Sequence, residues 1–132
     1  NIIGGSYRNP LDAGSTIGMG FNIPNLQKLL EILDDDENVD AIAMDVGIGL
    51  VARRVREAPA ILGQLVDTLA AHRERSPKPF LAVVHPAHVE EMMADVRTRL
   101  LARGIATFGS FGAAAKAFRR ATDYWRFRQG LE

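Results

Sequence analysis

Hydrophobic residues along this chain fall into short continuous runs separated by helical stripes. The clearest run spans residues 39–46, between the acidic turn Asp34-Asp35-Asp36-Glu37 and the glycines Gly47 and Gly49. An apolar run of this length predicts a strand that is buried on both faces, as in a parallel sheet. Phe80 to Val84 predicts a second such strand, and Ile105 to Phe108 predicts a short one.

Amphipathic stripes between these runs predict helices. Asn22 or Asn25 is the expected cap of the first helix, whose apolar stripe is Leu26, Leu29, Leu30 and Leu33. Pro59 opens a helix to about Arg75, and another runs from about Val89 to Arg103. His72 is expected to be a solvated residue near a helix end. Ser110 is the expected cap of the last helix, whose predicted stripe is Ala114, Ala117, Phe118, Ala121 and Trp125.

The glycine-rich N-terminal segment contains Asn9-Pro10-Leu11-Asp12-Ala13-Gly14, which predicts a first strand. Strand and helix then alternate four times, which favours right-handed crossovers and a parallel sheet. The predicted fold class is α/β: a three-layer α/β/α sandwich of flavodoxin-like type. Residues 1–132 fit one domain, and a first residue other than methionine suggests a fragment of a longer protein.

Composition narrows the classes of partner. Sixteen basic and sixteen acidic residues cancel, which disfavours binding to nucleic acid or to an anionic membrane. The chain has no cysteine, so disulfides, thiolate metal sites and thiol catalysis are excluded. No apolar stretch approaches the roughly 20 residues that span a bilayer. A cytoplasmic location is therefore expected.

The candidate site is the turn after the central strand. Ligands of open α/β sheets bind at the carboxyl ends of the strands. Gly47, Ile48 and Gly49 follow such an end, where free N–H groups and the positive start of a helix could meet a phosphate. Residues 47–52 match a relaxed dinucleotide-binding pattern, G-x-G-x-x-A, but Asp67 falls in a predicted helix and not at the end of the next strand. A simple tight turn is the remaining alternative.

Other polar residues are weaker candidates. His85 and His88 flank the end of the second buried strand, where a general base could lie, but no pattern completes a metal site around them. Asp12 and Asp45 could share one edge and bind Mg²⁺ or hydroxyls, or each could cap a loop. Three arginines, at positions 53, 54 and 56, could clamp a phosphate or form an exposed face.

Several motifs, in this order, resemble the NDP-forming acyl-CoA synthetases, the succinyl-CoA synthetase superfamily. Residues 8–14 resemble its N-P-(V/L/F)-D element, and DDDENVDAIAMDVGIG is similar to its acidic turn and apolar strand. KPFLAVV and LLARGIATFGSFGAAAKAF look like its third strand and its C-terminal segment. The resemblance covers about Gly4 to Phe127 and implies a flavodoxin-like ligase domain.

The resemblance implies a role within a larger enzyme. That family joins an acid to CoA at the expense of ATP or GTP with Mg²⁺, through an acyl phosphate and a phosphohistidine. Gly47, Ile48 and Gly49 would then bind the phosphate of the phosphohistidine, while Asn9, Asp12 and Gly14 would shape the neighbouring loop. The family's G-H-(A/G)-G motif is absent, because His85 stands in His-Pro-Ala-His.

The implied partners are a CoA-binding domain and an ATP-grasp domain, or subunits that carry them. No tightly bound cofactor is expected in this domain, and the isolated domain is expected to be inactive. A non-catalytic assembly domain, which could form a homo-oligomer through its last helix, and a flavin- or nucleotide-binding domain are the alternatives.

Overall fold

The structure, a computed structural model, describes residues 5–14 and 22–130, apart from the side chains at positions 50, 51 and 54. Within these ranges helices and strands alternate, with two consecutive helices between the first two strands. The elements are α1 (Ile23–Asp35), β1 (Ile42–Asp45), α2 (Ile48–Glu57), α3 (Ala60–Arg75), β2 (Phe80–Val83), α4 (Glu90–Ala102), β3 (Ala106–Phe108) and α5 (Phe111–Gln129).

The three strands form one parallel sheet in the order β1-β2-β3. Ile42 is in register with Phe80, and Leu81 with Ala106. Because β1 pairs directly with β2, no strand lies between them. The α/β class and the parallel sheet are thus confirmed, and the arrangement is compatible with a flavodoxin-like fold.

Successive side chains of β2 enter two separate cores, as expected for a strand covered on both faces. Phe80 and Ala82 belong to the larger core, to which α1, α2, α3 and α4 contribute. Leu81 and Val83 pack instead against Ala114 of α5. Four helices therefore cover one face of the sheet, and α5 covers part of the other.

The predicted caps are largely confirmed. Asn22 caps α1 by accepting a hydrogen bond from the Asn25 N–H at 3.1 Å, and Ser110 caps α5 through the Ala113 N–H at 3.2 Å. Gly104, just after α4, has a φ of 71°, a left-handed conformation that glycine adopts without strain.

The predicted first strand is wrong for the part of the segment that the structure describes. Residues 9–14 form an exposed loop closed by one antiparallel bridge between Ser6 and Asp12. Asp12 bends the chain locally, since its side chain accepts a hydrogen bond from the Gly14 N–H at 2.8 Å. Leu11, which the strand would have buried, is 43% exposed. Residues 15–21, in the same glycine-rich segment, lie outside the described ranges.

The predicted stripe of α5 is buried only at its beginning. Ala114 is buried and Phe118 is half-buried, but Ala121 and Trp125 are exposed. A helix of 19 residues is about 28 Å long, whereas a strand of four residues covers only about 13 Å. The second half of α5 therefore extends beyond the sheet that it covers.

The prediction that His72 is solvated is also wrong. Its side chain is buried, with Nδ1 3.3 Å from Asp34 Oδ2 and its ring edge-on to Phe80. No described residue forms a hydrogen bond with Nε2. Burial lowers the pKa of His72, an effect that Asp34 partly opposes and Arg75 reinforces.

Asp34 also ties the end of α1 to the start of β2. Its other oxygen accepts a hydrogen bond from the Ser76 hydroxyl at 2.6 Å. Lys78 Nζ donates to the carbonyl oxygens of Leu33 and Asp36 at 2.7 and 2.6 Å. The acidic turn is thereby fixed beside the amino end of the sheet.

The buried imidazole predicts a specific loss of stability in mild acid. An unfolded histidine binds its proton near pH 6.5, whereas folded His72 binds it only at lower pH. The free energy of unfolding should therefore be constant above about pH 7 and fall as the pH decreases through 6.5 toward the folded pKa. Urea denaturation at a series of pH values measures this slope.

His72→Phe should abolish that slope, whatever its stability at neutral pH, because the titrating group is gone. His88→Gln is the matched control, since His88 is exposed, and should leave the slope in place. An equal slope in wild type and in His72→Phe would show that other groups cause the acid sensitivity.

Candidate functional site

The carboxyl ends of the three strands meet at one edge of the sheet. The Val46 N–H donates to the Val83 carbonyl at 2.9 Å, and the Val84 N–H donates to the Phe108 carbonyl at 2.8 Å. These bonds continue the parallel pairing past the strands themselves. The segments that follow β1, β2 and β3 therefore begin side by side.

Gly47 makes the turn from β1 into α2. Its φ is 56°, a left-handed conformation that costs other residues about 1–2 kcal/mol. Its N–H donates to Asp45 Oδ1 at 2.9 Å, which closes the turn on the last residue of the strand. Ile48 then begins α2 with a side chain that is only 2% exposed. The turn thus places the N-terminus of α2 at the carboxyl edge.

Two backbone amides remain available at this helix start. Among the described residues, none accepts a hydrogen bond from the N–H of Ile48 or of Gly49. Such N–H groups at a helix start favour an anion. The first amide of the predicted phosphate loop, that of Gly47, is however already bonded to Asp45. The available donors are therefore two of the three predicted residues.

Gly49 also allows close contact with the segment after β2. A Cβ atom at this position would lie 3.0 Å from Ala87 Cβ, tighter than most such contacts, so Ala87 would have to move by a few tenths of an ångström. Its lack of a side chain therefore lets the start of α2 lie directly against the His85–Ala87 segment. Sequence reasoning proposed Gly49 as an amide donor and missed this packing role.

His85 and Asp45 lie together at this edge. His85 Nε2 is 3.8 Å from Asp45 Oδ2, and the two side chains are 44% and 46% exposed. The His85 ring also contacts Phe111 at the start of α5, with ring centroids 5.8 Å apart. These contacts hold an accessible imidazole beside a carboxylate that also accepts the Gly47 N–H.

This arrangement can bind an anion or assist proton transfer. Protonated His85 and the amides of Ile48 and Gly49 would attract negative charge, whereas the carboxylate of Asp45 would repel it. An incoming phosphate is thus favoured on the helix side of the turn and disfavoured near Asp45. The pair can also exchange a proton with a group bound at the edge, since the imidazole is exposed.

In the part of the chain that it describes, the structure shows no contact between the other predicted residues and the Gly47 turn. Asp12 and Gly14 form hydrogen bonds only within their own loop among the described residues, and Asn9 forms none with any of them. His88 lines a cleft with Arg56 and the first turn of α4. Among the described residues, no hydrogen bond links Asn9, Asp12 or Gly14 to the Gly47 turn, so no observation supports their predicted loop-shaping role or the predicted metal site of Asp12.

Asp67 and Arg53, which the sequence made candidates for a dinucleotide site and a phosphate clamp, form ion pairs away from this edge. Asp67 lies within α3 and pairs with Arg103 at 2.6 Å, so it is not placed as in a dinucleotide site. Arg53 pairs with Glu57 on the exposed surface of α2. The side chain of Arg54 is not among those that the structure describes. No cluster of three potential metal ligands occurs among the described residues.

Sequence reasoning missed Arg97 as a support of the edge. Its guanidinium donates to the Val84 carbonyl at 2.7 Å, and this bond fixes the backbone just before His85. Arg97 lies on α4, thirteen positions later in the chain. The helical periodicity of α4 did not distinguish it from Arg99, the exposed arginine on the same helix.

The chain was compared with models of protein families, with curated proteins and with solved structures, and no match was found in any of the three. Among the helices that the structure describes, none is long and apolar enough to cross a membrane.

The packing of Gly49 predicts a difference between two glycine-to-alanine variants. Gly63 lies within α3, and a Cβ there would meet nothing within 4 Å. Gly63→Ala should therefore stabilise the protein by up to about 1 kcal/mol through helix propensity. Gly49 lies in the first turn of α2, where this gain is smaller, and an alanine there must also displace Ala87, so Gly49→Ala should be about 1 kcal/mol less stable than Gly63→Ala. Urea denaturation compares them, and equal stabilities would show that the contact with Ala87 is unimportant.

Proposed function

We propose that this chain is a ligase domain of an NDP-forming acyl-CoA synthetase, similar to those of the succinyl-CoA ligases. Its role is to supply a phosphate-binding helix start to a phosphohistidine carried by another domain. The observation that carries the proposal is the Gly47 turn, which places the amides of Ile48 and Gly49 at the carboxyl edge of a parallel sheet. The order of motifs in the sequence supports the same assignment.

Each residue of the turn then has a separate task. Gly47 provides the left-handed turn, and Asp45 holds it closed. Ile48 anchors the helix start in the core, so its N–H keeps a fixed direction. The amide of Gly49 is the second donor. A phosphoryl group at this position would be stabilised by preorganised dipoles that need no rearrangement.

The remaining chemistry belongs to other domains. A CoA-binding domain and an ATP-grasp domain, or subunits carrying them, would bring CoA, ATP or GTP with Mg²⁺, and the phosphohistidine. Asp45 and His85 are extra features of this edge. The carboxylate would limit an approaching phosphate to the Ile48–Gly49 side, and His85 could contact its outer oxygens when protonated.

The isolated domain should not form a thioester, because under this proposal other domains bind CoA and the nucleotide. Purified protein incubated with a short-chain acid, CoA, ATP and Mg²⁺ should give no acyl-CoA above a control without protein. Chromatographic detection of acyl-CoA measures this outcome, and a protein-dependent rate would contradict the assignment as a partial ligase.

Gly49→Val in the intact parent enzyme should slow turnover of the phosphohistidine. A valine side chain would displace Ala87 and change the direction of the amides. Loss of one such donor lowers rates by about 100-fold in comparable sites. Rapid-quench measurement of the phosphoenzyme gives the rate, and Gly63→Val is the control for a β-branched residue within a helix. An unchanged rate in a folded Gly49→Val enzyme would remove the turn from the mechanism.

A second candidate function is a non-catalytic assembly domain. It is favoured by three aromatic side chains near the end of α5: Tyr124, Trp125 and Phe127 are 57%, 63% and 66% exposed. Aromatic residues of this kind are common in protein interfaces. A flavin-binding role is a third alternative, and an absorption spectrum of the purified protein tests it directly.

A further inference from the structure

The apolar side of α5 that packs on the sheet in the first half of the helix is exposed to solvent in the second half. Ala117, Phe118 and Ala121 line a groove of about 530 Å³ with Lys78 and Pro79, at the amino ends of the strands. Trp125 continues the same stripe one turn later and is 63% exposed. This segment, residues 121–129, is called the α5 extension here. Its inner face has no packing partner among the described residues.

The α5 extension belongs to a strongly basic helix. Along α5 the chain carries five basic residues (Lys116, Arg119, Arg120, Arg126 and Arg128) and one acidic residue, Asp123. Of these five, only Arg119 forms an ion pair with another residue that the structure describes, and its partner is Asp123 on the same helix. The whole chain is nevertheless neutral. The rest of the chain therefore carries a matching excess of acidic residues.

An acidic region lies at the same end of the molecule. Residues 31–40 contain six acidic residues and no basic one: Glu31, Asp34, Asp35, Asp36, Glu37 and Asp40. Lys78, which lines the groove beside α5, donates to the Asp36 carbonyl. The basic and the acidic regions therefore both border the amino end of the sheet. Among the described residues no ion pair joins them within one chain.

The two regions also match in the placement of their apolar residues. Ile32 on α1 is 56% exposed, and Asp35 follows three positions later on the same helix. Trp125 on α5 is followed at the same spacing by Arg128. Residues three apart are neighbours on a helix surface. Each helix thus offers an exposed apolar side chain beside a charge, and the two charges are opposite.

We propose that this end of the molecule is a docking surface for a second copy of the same chain. In a two-fold dimer, the α5 extension of each copy lies on α1 of its partner, with Trp125 against Ile32 and Arg128 near Asp35. Because both regions lie at one end, the same contact forms twice and the assembly closes. Contact between two α5 helices alone is disfavoured by their like charges.

Sedimentation equilibrium of the full chain tests the proposal. Wild-type protein should dimerise, and the dimer should weaken as salt rises from about 50 to about 500 mM, because the contact is charged. Trp125→Ala should raise the dissociation constant about tenfold or more. Phe127→Ala is the matched control, since Phe127 is equally exposed but lies on another side of the helix, and should change it less than about threefold. Circular dichroism confirms that each variant is folded.

A charge exchange identifies the contact itself. Arg128→Glu and Asp35→Lys should each be monomeric, because each places like charges together twice. An equimolar mixture of the two variants should form a closed heterodimer, in which both contacts again join opposite charges. A mixture that stays monomeric overturns the proposal, as does a wild-type chain that never dimerises or a dimer that loses equal affinity in Trp125→Ala and Phe127→Ala. Binding of a monomeric wild-type chain to an acidic polymer, such as heparin, would assign the surface to a different partner and also overturn it.

Discussion

The parallel pairing of β1, β2 and β3 is the constraint on which the rest of the molecule depends. Three strands that run the same way must all end at one edge and begin at the other. The connections after each strand therefore meet at the carboxyl edge, where Gly47 and His85 lie. The segments before each strand meet at the amino end, where Lys78 lies between the acidic turn and α5. The two proposed surfaces are thus at opposite ends of the same sheet.

The carboxylates at the two ends of the sheet have different partners. At the carboxyl edge, Asp45 uses one oxygen to close the Gly47 turn and leaves the other near His85, so a tight turn and a charged pair share one carboxylate. At the amino end, Asp34 joins His72 to Ser76 in a mostly buried contact, while the neighbouring acidic side chains remain exposed. At this end the partly buried carboxylate of Asp34 serves the fold, whereas the exposed ones are available for binding.

Much of this architecture follows from local pattern. The apolar runs before Gly47 and after Pro79 gave strands, and Asn22 and Ser110 gave caps, because apolar periodicity and capping act within a few residues. Burial on both faces was predicted correctly only for β2; it was wrong for β1, where Ala43 and Asp45 are exposed because β1 is an edge of the described sheet. The predicted first strand failed because Asp12 bonds its own loop. The burial of His72 and the exposure of Trp125 were predicted wrongly for a different reason. His72 is buried because distant elements cover it, and Trp125 is exposed because α5 extends beyond the short strands. The position of the Gly47 turn could be predicted, but the bond from Gly47 to Asp45 and the support from Arg97 could not, since both depend on side-chain geometry.

The central claim is that the start of α2 offers the amides of Ile48 and Gly49 to a phosphate. The most direct measurement is a titration of the ¹⁵N-labelled chain with inorganic phosphate, followed by amide chemical shifts at constant pH and ionic strength. Saturable shifts are expected at the amides of Ile48 and Gly49. None is expected at Ile61 and Leu62, because their N–H groups already donate to the carbonyls of Ala58 and Pro59. The absence of a saturable shift at both Ile48 and Gly49, or equal shifts at all four amides, would contradict the claim.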